Sequence, residues 1–294
     1  MDPVRNLKSK NLNDNLPEKS LSSKISNGVE VAVSRKSGIP PMAGKEGKYI
    51  YCIIKLNQYQ SFGPLGIGGR GDELYTVCSN NIAAVVSNSP ITKYSVSREN
   101  TIGHEKAIEE VMKEHTVLPV RFCTIAEDEK KVKKILEREH DKFVDLLKNM
   151  EGKKELGLKA IFKKEVVYKD ILEKYEDIRV LKEKLAVLAP EKTYYGLMKI
   201  GKMVEQTLEK EKEKYKDEIL DILEPLSEDI RLNNVYGEMM IINAAFLVSE
   251  DKETEFDQKV QGLAEKYSAK INFKYVGIVP PFNFVNLVIE PGEY

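Results

Sequence analysis

Thr116-Val117-Leu118-Pro119-Val120-Arg121-Phe122-Cys123-Thr124 separates two helical patterns and suits neither. Pro119 cannot sit inside a helix, and it joins a sheet only at an edge or a strand end. Val117, Leu118, Val120 and Phe122 are apolar enough for burial. Arg121 is then an expensive neighbour unless something pairs with it. The stretch reads either as a short edge strand with Arg121 in solvent or as a hinge that carries recognition.

Around it, the 294-residue chain has room for about two domains of ~100–200 residues. Its 41% hydrophobic residues can build cores, and its 32% charged residues imply long solvated helix faces. A net charge of −1 leaves no basic excess with which to hold a nucleic acid. Cys52, Cys78 and Cys123 are odd in number and far apart, which suits buried thiols in a reducing compartment rather than a disulfide framework. The first residues lack the apolar centre of a signal peptide, and the longest near-apolar run, residues 239–248, is about half a membrane span. These features describe a soluble, cytoplasmic chain with no nucleic-acid or membrane partner.

Residues 1–47 are polar, with no helix or strand period, and read as a disordered extension. Residues 49–56 form a first strand, β-branched and aromatic throughout. Gly66, Gly68 and Gly71 then satisfy G-x-G-x-x-G in form. Dinucleotide binding needs a helix immediately afterwards, whereas Asp72-Glu73 lead into a second strand at residues 74–78. The glycines therefore read as a mobile loop, and no cofactor is expected. Asn80-Asn81 turns the chain into a third strand at residues 82–87. Ser97 or Asn100 caps a helix with His104, Ile108, Val111, Met112 and His115 on one face. The two histidines lie about 16 Å apart along the axis, too far to share an ion. His104 reads as a core histidine, and no metal is expected. A nucleophile–base pair of Cys123 and His104 is the enzymatic reading the sequence offers, without an orienting third group.

Beyond the opening stretch, Thr124-Ile-Ala-Glu127 has the form of a capping box. One apolar stripe runs from Val132 to Met150, and Gly152 ends it. Residues 155–162 form a strand that opens a second domain. Two charged helices follow, one marked by Val167 to Leu188 and ended near Pro190, the other marked by Leu197 to Leu223 and ended at Pro225. They read as an antiparallel hairpin, or as apolar stripes that dock a partner helix. Residues 229–236 and 239–248 form a strand hairpin around Gly237, and Phe256, Val260, Leu263 and Tyr267 mark a helix. Residues 271–276 alternate as a half-buried strand, Pro280-Pro281 break it, and a strand resumes at residues 284–289. The order β, helical hairpin, β, β, α, β is a ferredoxin-like pattern with an expanded first crossover. The fold class is thus α+β in two domains. An N-terminal mixed sheet with helices covers residues 48–152. A C-terminal modified ferredoxin-like domain covers residues 153–294, with an inserted helical hairpin at about 165–224.

Taken in order, Asn81-Ile-Ala-Ala-Val-Val-Ser87, His104, Val117-Leu-Pro-Val-Arg-Phe122 and Gly152-Lys-Lys-Glu155 resemble the gas vesicle protein F/L family. Asn243-Ala-Ala-Phe-Leu-Val248, Gly277 and Pro280-Pro281-Phe282-Asn-Phe-Val285 continue the resemblance, which covers residues 48–289. The chain departs from the family pattern at Cys123, where glycine is common, at Val279, where tryptophan or leucine is common, and at Phe282, where tyrosine is usual. The resemblance implies a non-enzymatic accessory or minor structural protein of gas vesicle formation, and so of buoyancy. It also implies binding to the main shell protein, gas vesicle protein A (GvpA), to nucleate assembly or prevent its aggregation. A scaffold for other vesicle accessory proteins is the alternative. No catalytic, metal or cofactor residue comes with the resemblance. The structural or contact candidates are His104, Pro119, Arg121, Phe122, Pro280, Pro281 and Phe282, with Arg121 as a buried polar anchor at the domain junction.

Overall fold

The computed structural model describes residues 45–189 and 192–289. Most of the extension expected at residues 1–47 lies outside the described residues, as does Pro190. The first strand, β1 (Glu46–Ile54), is buried from Tyr49 onward. A strand without polar alternation has to be covered on both faces, and that requirement sets the architecture of this half. β1 lies in a sheet with β2 (Ser61–Gly63), β3 (Leu74–Ser79), β4 (Ile82–Pro90), β5 (Val117–Pro119) and β6 (Ile125–Ala126). The order is β2-β3-β4-β1-β5, with β6 also paired to β1.

On one face Tyr49, Tyr51, Cys52 and Ile54 pack with Ala83 and Val85 beneath Ala107, Ile108 and Val111 of α1 (Arg98–Met112). On the other face Ile50 and Ile53 pack with Ile82, Ala84 and Val86. Val132, Ile135 and Leu136 of α2 (Glu129–Arg138) and Phe143 and Leu147 of α3 (His140–Met150) cover them. β4 alternates strictly between the two clusters. In β1 a bulge between Ile50 and Cys52 sends the adjacent Tyr51 and Cys52 into the same cluster.

Every pairing in this sheet is antiparallel, where a mixed sheet was expected. α1 carries the chain from β4 to β5, which both run antiparallel to β1 and flank it, so no parallel strands become neighbours. The capping box expected at Thr124 is not used. Ile125 and Ala126 are taken up by β6, and the Asp128 side chain accepts from Lys131 N at 2.8 Å to cap α2. The stripe from Val132 to Met150 belongs to two helices, because the backbone leaves helical geometry at Glu139 (φ −98°, ψ 13°).

The second half is built on β7 (Lys153–Phe162), β8 (Asp229–Leu232), β9 (Met240–Ser249) and β10 (Ile271–Val279), in the antiparallel order β10-β7-β9-β8. Leu156, Leu158, Ala160 and Phe162 share one cluster with Ile242, Ala244, Phe246 and Val248. Four helices contribute to it: α4 (Lys164–Lys174), α5 (Glu176–Ala186), α6 (Tyr194–Leu223) and α7 (Glu253–Lys266). The first arm of the expected hairpin is two helices. Tyr175 breaks it with extended backbone (φ −95°, ψ 104°), and its hydroxyl donates to Glu211 Oε1 of α6 at 2.7 Å.

The strand expected at residues 284–289 does not form. Past Val279 the chain leaves the sheet edge through Pro280-Pro281, so it has no ladder partner. Its alternation has another cause. Val285, Leu287 and Ile289 are buried in the cluster of α2 and α3, joined there by Leu247 of β9, while Asn286 and Val288 are exposed. This tail lies between the two halves and gives them a shared core.

Candidate functional site

The opening stretch is a three-residue edge strand. Pro119 is buried opposite Cys52 as the last residue of β5, and Val120 N donates to Tyr51 O at 2.8 Å just beyond it. The chain then turns. Thr124 Oγ1 donates to Arg121 O at 2.7 Å, and Cys123 adopts φ +67°, the left-handed region that favours glycine. That backbone explains why glycine is the residue expected at position 123. Arg121 is exposed and has no ion pair with a described residue, so the buried anchor expected there is corrected. The turn points its side chain outward, and leaving a guanidinium in water avoids its desolvation cost.

His104 is the centre of the buried side of this turn, 3% exposed. Its Nε2 lies 3.1 Å from Val120 O, which can only accept, so Nε2 carries the proton and Nδ1 is an acceptor. The Tyr49 hydroxyl, 3.1 Å away, therefore donates to Nδ1, and Cys123 N donates to that same hydroxyl at 2.8 Å. Burial holds the imidazole down to about 4 against the opposing pull of the Val120 carbonyl, so it is neutral at pH 7. Burial also raises Tyr49 above the ordinary phenol range. The ring of Tyr51 stacks on His104 (5.6 Å, 22°), Phe122 meets it edge-on at 5.7 Å, and Phe282 lies 6.1 Å away.

Phe282 belongs to the turn that begins the C-terminal tail. Pro280 and Pro281 are buried there, and Phe282 is half-exposed. Asn283 fastens the turn: its backbone N and Nδ2 donate to the two oxygens of Glu155, at 3.0 and 2.6 Å. Glu155 is 3% exposed on β7. Burial raises its pKa, and the two Asn283 donors work against that rise. His104, Phe122 and Phe282, far apart in sequence, thus meet at one junction, with Pro119 and Pro280-Pro281 fixing the backbones that bring them there. Arg121 stands outside, on the rim of a shallow cavity of about 480 Å³ that it shares with Lys93, Phe122, Val288 and Ile289. Sequence reasoning missed Tyr49, Tyr51, Glu155 and Asn283. Nothing in the local pattern of β7, which also holds Lys153, Lys154 and Lys159, marked Glu155 as its buried charge.

The chemistry is limited by this wiring. Both nitrogens of His104 are engaged by Tyr49 and Val120, so neither is free to take a proton from Cys123. Cys123 Sγ accepts from Tyr94 N at 3.3 Å instead. Gly71 is followed by β3 rather than by a helix that could hold a phosphate. Among the described residues no three His, Cys, Asp or Glu side chains are grouped to hold a metal ion, and no helix is long and apolar enough to cross a membrane.

The chain is thus an α+β protein with two antiparallel sheets, tied at a buried junction by its own tail. The model of the gas vesicle synthesis protein GvpL/GvpF family matches residues 47–286, and the chain belongs to that family. It is 25% identical to gas vesicle protein F of a Nostoc species over 219 residues, 73% of this chain and 88% of that one. It is likewise 25% identical to gas vesicle protein F of Dolichospermum flosaquae, across 66% of this chain and 80% of that one. The crystal structure of GvpF from an Anabaena species has the same fold, with a TM-score of 0.71 at 23% identity, covering 82% of this chain and 99% of that one. Membership places the chain in gas vesicle formation.

Proposed function

We propose that the protein is a non-enzymatic accessory component that binds the main shell protein, GvpA, to nucleate vesicle assembly or keep that subunit from aggregating. The observation that carries this reading is the family match across residues 47–286. We further read residues 48–152 as one domain and residues 153–294 as a modified ferredoxin-like domain. The antiparallel order β10-β7-β9-β8 and the helical insertion between β7 and β8 support this. The contact face assigned to the shell protein is the outer side of the junction. There Arg121 supplies an exposed cation beside the half-exposed Phe282, while His104, Pro119, Pro280 and Pro281 hold the surface in shape from beneath.

The test is co-purification of tagged GvpA co-expressed with the chain, with and without residues 1–44. Capture of both forms is expected, with a loss of capture in Arg121→Ala and Phe282→Ala. Unchanged capture by both variants, with folds intact by circular dichroism, overturns the junction as the contact face. No capture of soluble, folded wild type overturns shell binding and favours a scaffold for other vesicle accessory proteins.

A further inference from the structure

The last described residues of the tail end on a cavity. Val288 and Ile289 line it with Ile91 and Ile125, and Lys93 and Arg121 stand at its rim, around a volume of about 480 Å³. The floor is closely packed. At Gly47 β1 runs so near beneath it that a Cβ there would lie 2.7 Å from Ile91 Cγ1 and 3.1 Å from Ile125 Cγ2. Apolar surface is nevertheless left open, since Ile91 and Val288 are 43% and 40% exposed. The charge at the rim is positive. Lys93 and Arg121 are both exposed, and neither forms an ion pair with a described residue. Glu127, two positions beyond Ile125, faces Lys45 at 3.7 Å instead.

Two stretches of chain outside the described residues join the fold at this rim. Residues 1–44 join it at Lys45, whose carbonyl accepts from Ile91 N at 2.9 Å, and they carry seven Lys and Arg against four Asp and Glu. Their excess charge has the same sign as the rim. Residues 290–294 follow directly from Ile289 and read Glu-Pro-Gly-Glu-Tyr, with two acidic residues and no basic one. Five residues span up to about 16–18 Å, enough to cross a cavity of this size. The alternating burial of residues 285–289 is that of extended backbone, and Pro291 favours the same conformation at the residue before it. We propose that residues 290–294 dock across this cavity, with Glu290 and Glu293 paired to Arg121 and Lys93 and Tyr294 supplying apolar contact. Docking there shields Arg121 with the protein's own acidic tail, and a partner that uses Arg121 has to displace it. That consequence for the shell protein rests on the reading of Arg121 as its contact, whereas the docking itself does not.

Amide nitrogen NMR relaxation on the full chain reads the docking. Gly292 and Glu293 are expected to show order parameters near about 0.85 in the wild type, falling below about 0.6 in Lys93→Gln/Arg121→Gln. Reversing both sides, Lys93→Glu/Arg121→Glu combined with Glu290→Lys/Glu293→Lys, restores the order. Order parameters below about 0.6 in the wild type overturn the proposal, as does order that survives Lys93→Gln/Arg121→Gln. Order lost on dilution of the wild type also overturns it, by assigning the cavity to the tail of a second copy. Capture of tagged GvpA by Glu290→Gln/Glu293→Gln is expected to exceed that by the wild type about fivefold or more. Equal capture overturns the shielding of Arg121, while an ordered tail with no capture by either chain upholds the docking and overturns shell binding.

Discussion

His104 shows how much of this junction is decided by a single proton. The folded chain keeps the imidazole neutral down to about pH 4, whereas an unfolded chain protonates it near 6.5. Between those values the unfolded state binds more protons, so stability falls as pH drops, by about 3 kcal/mol in total. Glu155, raised by burial, acts in the opposite sense, so the informative quantity is the difference between wild type and His104→Gln. Urea denaturation across pH 4–7 should show that difference constant above about pH 6.5 and shrinking below it. Parallel curves would show that His104 does not carry the effect. The left-handed turn makes a second case. Cys123→Gly should leave thermal stability within about 1 kcal/mol of wild type, since relief of strain offsets added chain entropy. Cys123→Val should cost more than about 1 kcal/mol, because a β-branched side chain fits this backbone poorly. Both are read from thermal melts.

Among the elements, the tail matters most for its length. It has no ladder hydrogen bonds, yet Val285, Leu287 and Ile289 reach the same core as α2 and α3. Leu287→Ala should therefore cost about 2–5 kcal/mol in urea denaturation, the range for a buried leucine. A cost near zero would show that the tail merely rests on the surface. The strand pattern expected over residues 284–289 was half right for a physical reason: period-two burial is visible in sequence, whereas a ladder partner is not. The same logic applies to α4 and α5. Their shared apolar stripe hides the break at Tyr175, which is set by a hydroxyl reaching Glu211 on α6, thirty-six positions along the chain.

For the whole molecule, the question is whether the two sheets unfold together. Their shared core depends on the Pro280–Pro281 turn, and that turn depends on the Asn283–Glu155 contact. Calorimetry of the wild type should give one transition. Asn283→Ala removes the Nδ2 donor from a buried carboxylate, at a cost of about 1–3 kcal/mol, and removal of residues 284–294 takes away the shared core as well. Both should split or broaden the transition, the truncation more. A single sharp transition in the truncated chain would mean that the halves are coupled by some other contact.

The sequence by itself determined the strands and helices with strong periodicity, the edge position of Pro119 and the family. These rest on local rules or on an ordered set of residues that stays readable along the chain. The departure from glycine at position 123 was legible in the sequence, whereas the positive φ behind it was set by the turn. Tertiary structure alone decided that Arg121 faces water, that the first sheet is antiparallel throughout, and that His104, Phe122 and Phe282 share one site. The same holds for the pairing of Glu155 with Asn283, separated by 128 positions. Each depends on which distant segment fills the space beside a residue, and local propensity does not encode that.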